Sequence, residues 1–358
     1  MNKRKIHFAY TVPLSKSILR RALDKFVLAF GITPIYRYGF DFLIPWQRPV
    51  RSPHCISYHL LHKFRSKYAV RFYNIYEHIL PKIAPQDIFI GQPLPKGGFS
   101  EVRPDTDDRE SVSSKVIRSR NSSSNYLIMP YTHDPLYVSW VKDLLEDHKG
   151  GVIFVGGKIW ERDWHKSPFK DVDIKRKIHV EMGIDPNDYP VVKKTFNPKG
   201  KRKYLYIGHT AWYKNTKELE NIAINMPQYE FAHIGGGDIK GFKKLSDFAS
   251  LTPEFMAKIA SEYDIFINTS TGDAQATTIL EQMCFGMVVA CTPETGYDHD
   301  SLVFLSTNDT SRNVKILSDL QEMDESDLLL IAKRNRENAI KFHSWDIFTQ
   351  KIMKFIEE

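Results

Sequence analysis

Residues 268–286 read NTSTGDAQATTILEQMCFG. An apolar run just before this stretch predicts a buried strand over 265–269, and the pattern that follows predicts a helix over 277–285. Small and hydroxyl residues fill the turn between them, so amides at the helix N-terminus can approach an anion. Asp273 lies in the turn and Glu281 lies on the helix among apolar neighbours. A carboxylate in such surroundings is rarely buried without a partner, and sugar or ribose hydroxyls would serve.

The same alternation of strand and helix continues outward in both directions. In the first half, strands are predicted over 5–12, 87–91, 126–130 and 152–156, with helices over 15–30, 108–118 and 136–148. In the second half, strands are predicted over 204–208, 229–234, 265–269 and 288–291, with helices over 217–225, 252–263 and 277–285. Such alternation implies parallel sheets covered by helices on both faces. Because it occurs twice in 358 residues, we expect two domains.

Composition limits the class of protein. No apolar run reaches the roughly 18–20 residues needed to span a bilayer. The three cysteines, Cys55, Cys284 and Cys291, lack metal-ligand spacing, and their odd number argues against a disulfide framework. Residues 1–98 hold 16 Lys and Arg against 4 Asp and Glu, whereas the remainder holds 34 against 39. The basic first part is typical of contact with an anionic partner, such as a lipid headgroup, a membrane surface, a phosphorylated glycan or a nucleic acid. Alternatively, the charge serves solubility alone.

Two further loops follow predicted strands, where ligands bind in open α/β sheets. In the first, Gly208 and His209 end a strand, and Lys214 comes just before a helix. The glycine lets the backbone approach a ligand, and the Lys214 ammonium at this position can meet a diphosphate. In the second, Gly235, Gly236 and Gly237 form a loop without side chains, which fits either a nucleotide pocket or a plain turn.

The stretch 268–286 resembles the retaining glycosyltransferases of the GT-B fold, especially family 4. Those proteins carry an acidic residue, seven others and a Glu, and then continue Leu-Glu-Ala-Met-Ala-x-Gly. Here Asp273 is followed by seven residues and Glu281, in the run Leu280-Glu281-Gln282-Met283-Cys284-Phe285-Gly286. By resemblance, Asp273 holds donor-sugar hydroxyls and Glu281 holds the ribose. The amides near Ala276, Thr277 and Thr278 would face the donor phosphates.

Other motifs of that family occur in the same order. Its phosphate motif, Gly-Arg-four residues-Lys-Gly, resembles Gly208-His209-four residues-Lys214-Asn215, with a titratable His in place of Arg. Its hinge resembles 182–185, and its closing Phe-Ser-Trp resembles 342–345. The resemblance implies an α/β fold with two Rossmann-like doubly wound domains facing across a cleft. We expect an acceptor-side domain over 1–185, a nucleotide-sugar domain over 186–335, and a C-terminal helix in 336–358 packing back toward the first domain.

The amino half offers one candidate residue. Tyr131-Thr132-His133-Asp134 follows a predicted strand and resembles the family's Thr-x-His-Asp. His133 would then contact the donor sugar or the acceptor. Alternatively, Asp134 caps a helix and His133 has no role. The aromatic cluster 160–164 is interpreted as packing.

The resemblance implies a metal-independent transferase that moves a sugar from a nucleotide-diphosphate-sugar to a glycan or lipid-linked glycan with retention of configuration. No cofactor beyond this substrate is expected, and no nucleic acid. We expect a cytoplasmic enzyme of polysaccharide biosynthesis, with peripheral membrane contact through the basic first domain. The alternatives are a nucleotide-sugar epimerase of the same fold, or a basic module that binds nucleic acid or a membrane surface. A metal-dependent transferase would need the acidic pair Asp105 and Asp107, which we interpret as a turn.

Overall fold

The computed structural model describes residues 4–11, 17–30, 46–49, 52–75, 81–94, 111–133, 135–146, 148–247 and 252–358. The chain divides into two compact units. The first comprises Met1–Gly156, Asp163–Val180 and Trp345–Glu358, and the second comprises Gly157–Arg162 and Glu181–Ser344. The chain therefore passes from one unit to the other four times.

The first unit is built on a parallel sheet of six strands. They are β1 (Lys5–Tyr10), β2 (Ala69–Asn74), β3 (Ile88–Gly91), β4 (Asn125–Pro130), β5 (Gly151–Val155) and β6 (Arg176–Val180). Their order is β2-β1-β3-β4-β5-β6. The central strands are buried along their whole length, as expected for a parallel sheet with both faces covered.

Five helices of at least eight residues belong to the described part of this unit. They are α1 (Ile18–Phe30), α2 (Ser52–Arg65), α3 (Val112–Ser119), α4 (Pro135–Leu145) and, at the C-terminus, α11 (Trp345–Glu357). The last of these packs through Phe355 against Tyr126 of β4, with ring centroids 5.6 Å apart. The guanidinium of Arg176 on β6 lies 5.3 Å from the Phe355 ring. The C-terminal helix is thus part of the core of the first unit.

The second unit repeats this plan. Its strands are β7 (Tyr204–Ile207), β8 (Phe231–Ile234), β9 (Lys243–Ser246), β10 (Ile265–Asn268), β11 (Val288–Cys291) and β12 (Val303–Phe304), in the order β12-β11-β10-β7-β8-β9. Its helices are α5 (Lys158–Arg162), α6 (Thr216–Asn225), α7 (Pro253–Glu262), α8 (Thr277–Phe285), α9 (Thr310–Glu322) and α10 (Glu325–Phe342). All the strand pairings are parallel.

The strand order of the second sheet determines where a ligand can bind. From β7 the chain proceeds to β8 and β9 on one side, and from β10 it proceeds to β11 and β12 on the other. Neighbouring strands β7 and β10 therefore form the topological switch point, where the loops diverge and leave a crevice at the carboxyl ends of the strands. The loops that follow these two strands carry Lys214 and Asp273.

The predicted α/β class, with two doubly wound sheets, is confirmed. Every predicted strand is present with its ends within two residues of the prediction. The four strands that were not predicted, β2, β6, β9 and β12, are the edge strands of the two sheets. An edge strand has one solvated side and needs no continuous apolar run, so its sequence signal is weak.

Some predicted features lie outside the described residues. These are the acidic pair Asp105 and Asp107, the capping residue Asp134, and most of the loop after β1. Within the described ranges, no helix combines the length and the apolar character required to cross a membrane.

Candidate functional site

Lys214 and Asp273 form an ion pair between Nζ and a carboxylate oxygen. Lys214 ends a short 3-10 turn, Trp212–Lys214, after β7, and Asp273 lies in the loop after β10. Both side chains are largely withdrawn from solvent, with 11% and 14% of their surfaces exposed. The ammonium also lies 5.2 Å from the ring centroid of Tyr213, within cation–π range. The two predicted residues therefore meet at the switch point of the second sheet.

The turn that carries Lys214 is held by the loop that carries Asp273. Asn215 adopts a left-handed conformation with φ 53°, which Asn tolerates better than most residues. Its Nδ2 donates to the carbonyls of Thr269, at 3.1 Å, and Thr307, at 2.8 Å. The Thr271 amide donates to the Tyr213 carbonyl at 2.8 Å. These bonds fix the height of Lys214 above the sheet.

The backbone around Asp273 is anchored on both sides. Its amide donates to the Glu294 carbonyl at 2.9 Å. The indole Nε1 of Trp160 donates to the carbonyls of Asp273, at 2.8 Å, and Ala274, at 3.0 Å. The Gly157 amide adds a second bond to Ala274, at 2.9 Å. The segment 157–162 thus supports the loop that presents the Asp273 carboxylate.

Both ring nitrogens of His209 contact its neighbours. Its Nδ1 accepts the Ala211 amide at 3.3 Å, and its Nε2 lies 3.1 Å from the Tyr213 hydroxyl. These two bonds fix the imidazole in the loop after β7. The resembling motif has Arg at this position, which carries a permanent charge.

The N-terminus of α8 faces the same loop. The Ala276 amide donates to the Thr295 carbonyl at 3.1 Å, so this amide is already used. The next two amides, of Thr277 and Thr278, belong to the first helical turn and have no intrahelical acceptor. No described carbonyl accepts from either of them. They are the amides of the predicted set that remain available to an anion.

Glu281 lies one helical turn further along α8 and is partly exposed. The Tyr189 hydroxyl donates to its Oε1 at 3.3 Å. The Tyr189 ring is itself fixed edge-on against Phe285, with centroids 5.4 Å apart, and Arg336 donates to the Tyr189 carbonyl at 2.8 Å. Tyr189 therefore orients the Glu281 carboxylate, which the resemblance to family 4 predicts to hold the ribose.

The glycine loop follows β8, the neighbour of β7. Gly237 has φ 78°, and a Cβ there would lie 2.7 Å from the side chain of Thr210, so a side chain is excluded on both counts. Gly236 is different, because a Cβ at that position would meet no atom of the described residues within 4 Å. The loop consequently leaves open space above Gly236.

His133 belongs to the first unit, after β4. Its ring packs edge-on against Tyr131, with centroids 5.3 Å apart. Burial lowers the pKa of His133 below its ordinary value, which keeps the imidazole neutral at pH 7. Its catalytic role stays a prediction.

Sequence reasoning missed Trp160 and Tyr189 as supports of this site. Trp160 was assigned to packing, but it also hydrogen-bonds the Asp273 loop across 113 residues of sequence. Tyr189 lies 92 residues from Glu281. No local pattern encodes contacts at such separations.

No protein-family model matches the sequence, and no curated protein matches it either. Solved structures do match along nearly the whole chain. A glycosyltransferase from Rickettsia africae is 13% identical, with TM-score 0.55 over 100% of this chain and 98% of that chain. HepE of Anabaena, solved with UDP and glucose, is 14% identical, with TM-score 0.55 over 99% of both chains. Sucrose-phosphate synthase of Thermosynechococcus elongatus is 12% identical, with TM-score 0.58 over 99% of this chain and 98% of that chain.

These neighbours share the GT-B fold, and the present chain has that fold. At such identities the likeness establishes the fold alone. The predicted GT-B architecture is thereby confirmed, while the roles of individual residues depend on the site geometry.

Proposed function

We propose that this protein is a glycosyltransferase that takes a sugar from a nucleoside diphosphate sugar. The single observation that carries the proposal is the meeting of Lys214 and Asp273 on the loops after β7 and β10. A cation and a carboxylate at the switch point of a Rossmann-like sheet supply the two kinds of contact that a sugar attached to a diphosphate needs. The fold shared with known glycosyltransferases supports the same reaction class.

In the proposed reaction, the diphosphate is the leaving group and gains charge as the glycosidic bond breaks. Lys214, the amides of Thr277 and Thr278, and the dipole of α8 stabilise that charge. Asp273 accepts hydrogen bonds from sugar hydroxyls, and Glu281 accepts them from the ribose. Gly236 leaves room for the nucleotide among the described residues, whereas a Cβ at Gly208 would lie 2.2 Å from the Tyr206 hydroxyl oxygen. Donor binding by the backbone of Gly208 and Gly235 is part of the proposal. His209 positions the loop through its bonds to Ala211 and Tyr213.

The finer points of the proposal rest on the resemblance to family 4. They are retention of anomeric configuration, independence of metal ions, a glycan or lipid-linked glycan as acceptor, and contact of His133 with sugar. Retention would proceed by attack on the same face as the leaving group, without a protein nucleophile. An NMR assignment of the anomeric configuration of the product tests the first point, and activity in excess EDTA tests the second.

The decisive experiment is a thermal-shift screen against UDP, GDP, ADP and their sugar conjugates, followed by a transfer assay with the conjugate that binds. A ligand at about 100 times its Kd stabilises a protein by about 2.7 kcal/mol, which gives a clear shift in Tm. Lys214→Ala should abolish transfer while the protein stays folded, since removing one preorganised donor costs ~10²-fold or more in rate. Glu281→Ala should also abolish transfer with the protein folded, because the nucleotide sugar loses the acceptor for its ribose hydroxyls and no longer binds. Lys217→Ala is the matched control, because the Lys217 side chain is exposed and pairs with Glu220 on α6.

Three results would contradict the proposal. They are the absence of binding across the panel, wild-type turnover by both site variants, or release of an epimerised nucleotide sugar without any acceptor. The last result would identify the protein as an epimerase.

A further inference from the structure

The ion pair between Lys214 and Asp273 creates a conflict for any incoming diphosphate. The ammonium that should meet the phosphates is already neutralised by a carboxylate. That carboxylate has the same sign of charge as the phosphates, so the two anions compete for one cation. Among the described residues, Lys214 is the only cation that forms an ion pair with Asp273.

Burial of the Lys214–Asp273 pair makes the competition between the carboxylate and a diphosphate strong. Both side chains are mostly buried, and charges with little solvent around them interact more strongly than surface pairs. A carboxylate left beside a diphosphate without a cation would repel it, and a buried carboxylate without a partner is itself costly. Which anion Lys214 pairs with therefore depends on the ligand that is bound in the site.

The scaffold around the pair allows an exchange by rotation of side chains alone. The Lys214 turn is fixed through Asn215 and Thr271, and the Asp273 backbone is fixed through Glu294 and Trp160. Lys214 has a flexible four-carbon stem that can move its ammonium between two acceptors. Neither loop has to unfold for the partner to change.

We propose that Asp273 and the donor diphosphate exchange places at Lys214, and that this exchange drives release of the nucleoside diphosphate product. The inference rests on the proposed function. With a nucleotide sugar bound, Lys214 serves the phosphates and Asp273 is compensated by sugar hydroxyls. After transfer the sugar has left, so Asp273 loses those partners and returns to Lys214. The carboxylate thus favours the nucleotide sugar over the spent nucleoside diphosphate.

The test is the affinity of UDP, GDP and ADP for the full chain, measured by calorimetry at low and high salt. Asp273→Asn keeps the shape of the side chain and removes its charge. This variant should bind the preferred nucleoside diphosphate on the order of tenfold more tightly than wild type, the usual size of a coupling between two bound groups. The gain should shrink at high salt, since screening weakens the interaction between charges.

One control separates this exchange from a general effect of charge. Glu294→Gln removes a neighbouring carboxylate that has no ion pair with Lys214 among the described contacts, so affinity for the nucleoside diphosphate should not change. Asp273→Ser serves as a second variant if the first is unstable.

The outcomes are distinguishable. If wild type binds a nucleoside diphosphate and Asp273→Asn binds it equally or more weakly, the exchange is wrong and the proposed function stands. A gain of the same size from Glu294→Gln also overturns it. If no panel member binds wild type or any variant, the proposed function fails first and this inference fails with it.

Discussion

The indole Nε1 of Trp160 donates to the backbone carbonyl of Asp273 at 2.8 Å and to that of Ala274 at 3.0 Å. One side chain thereby holds two consecutive carbonyls of the loop that presents the Asp273 carboxylate. Trp160 is buried and does not itself reach the Lys214 pair through any described contact. It is therefore a positioning residue.

Trp160→Phe should slow transfer without weakening nucleotide binding. Phenylalanine keeps one aromatic ring but lacks the five-membered ring and its N–H. The Asp273 carbonyl therefore loses its donor, at a cost of about 1–3 kcal/mol if it stays buried, while the Ala274 carbonyl keeps its bond from the Gly157 amide. We expect a lower kcat with no weakening of nucleoside diphosphate binding, because Lys214 keeps its own supports. Trp164→Phe is the matched control. Equal effects of the two substitutions would show that Trp160 contributes packing alone.

Tyr189→Phe should raise KM for the nucleotide sugar and leave kcat close to wild type. The substitution removes the hydroxyl that orients Glu281 but leaves the ring packed on Phe285. A contact to ribose is the same in the ground state and the transition state, so its loss affects binding and not the chemical step. Tyr263→Phe provides the control, since Tyr263 makes an equivalent bond to Glu230 at 3.0 Å. A fall in kcat alone would argue against this role.

The stability of the first unit should depend on pH through His179. This side chain is buried among Phe154, Trp164 and Tyr131, and neither ring nitrogen has a hydrogen-bond partner. Burial, with Lys177 nearby, lowers the pKa of His179 from 6.5 to about 4. The folded pKa lies below the unfolded one, so the unfolded chain binds the extra proton as pH falls through this window.

The contribution of His179 to stability is therefore present above pH 6.5 and is lost between pH 6.5 and pH 4. That difference in pKa corresponds to about 3 kcal/mol. His179→Phe should flatten the decline in the free energy of unfolding across this range, measured in urea at several pH values. His165→Asn, at an exposed position, should leave the slope as it is in wild type. An unchanged slope in His179→Phe would contradict the assignment.

Asp264 should be a major determinant of stability in the second unit. Its carboxylate meets the Lys193 ammonium at 2.6 Å, with 3% and 0% of the Lys193 and Asp264 side chains exposed. It also accepts the amides of Asn197, at 2.9 Å, and Lys203, at 2.8 Å. Asp264→Ala leaves a buried ammonium unpaired, which typically costs about 3–5 kcal/mol.

Chemical denaturation of the Asp264→Ala variant measures this loss. The exposed pair of Lys199 and Asp324, at 2.7 Å, is the comparison. Lys199→Ala should have no measurable effect, because solvent screens an exposed pair. Similar losses from the two substitutions would mean that burial does not strengthen the Asp264 network.

The central strands and the main site residues were accessible to sequence reasoning because their signals are local. β10 begins with the apolar run Ile265-Phe266-Ile267, and Asp273 lies in the loop that follows the strand. That β7 and β10 lie side by side follows from the doubly wound order, so the meeting of Lys214 and Asp273 could be anticipated. The edge strand β9, Lys243–Ser246, could not, because its polar residues resemble a loop.

Contacts between residues that are distant in the sequence could not be predicted either. Trp160 and Tyr189 act through contacts that span 113 and 92 residues. The bond from the Ala276 amide to Thr295 depends on how two loops pack, which no spacing rule encodes. Sequence reasoning therefore placed the charged groups but not the neighbours that orient them.

Substitutions at two glycines of the second unit can show where a ligand binds. A Cβ at Gly157 would come within 1.7 Å of the Gly296 carbonyl oxygen, so a randomised library screened only for folded protein should retain glycine there. At Gly236 the same library should accept many residues, because no atom in the described part of the chain lies within 4 Å of the added carbon. If selection for catalysis then restores glycine at position 236, the space beside Gly236 is needed by the substrate. Sequencing the library after each selection, first for folding and then for catalysis, would therefore locate the nucleotide without a crystal.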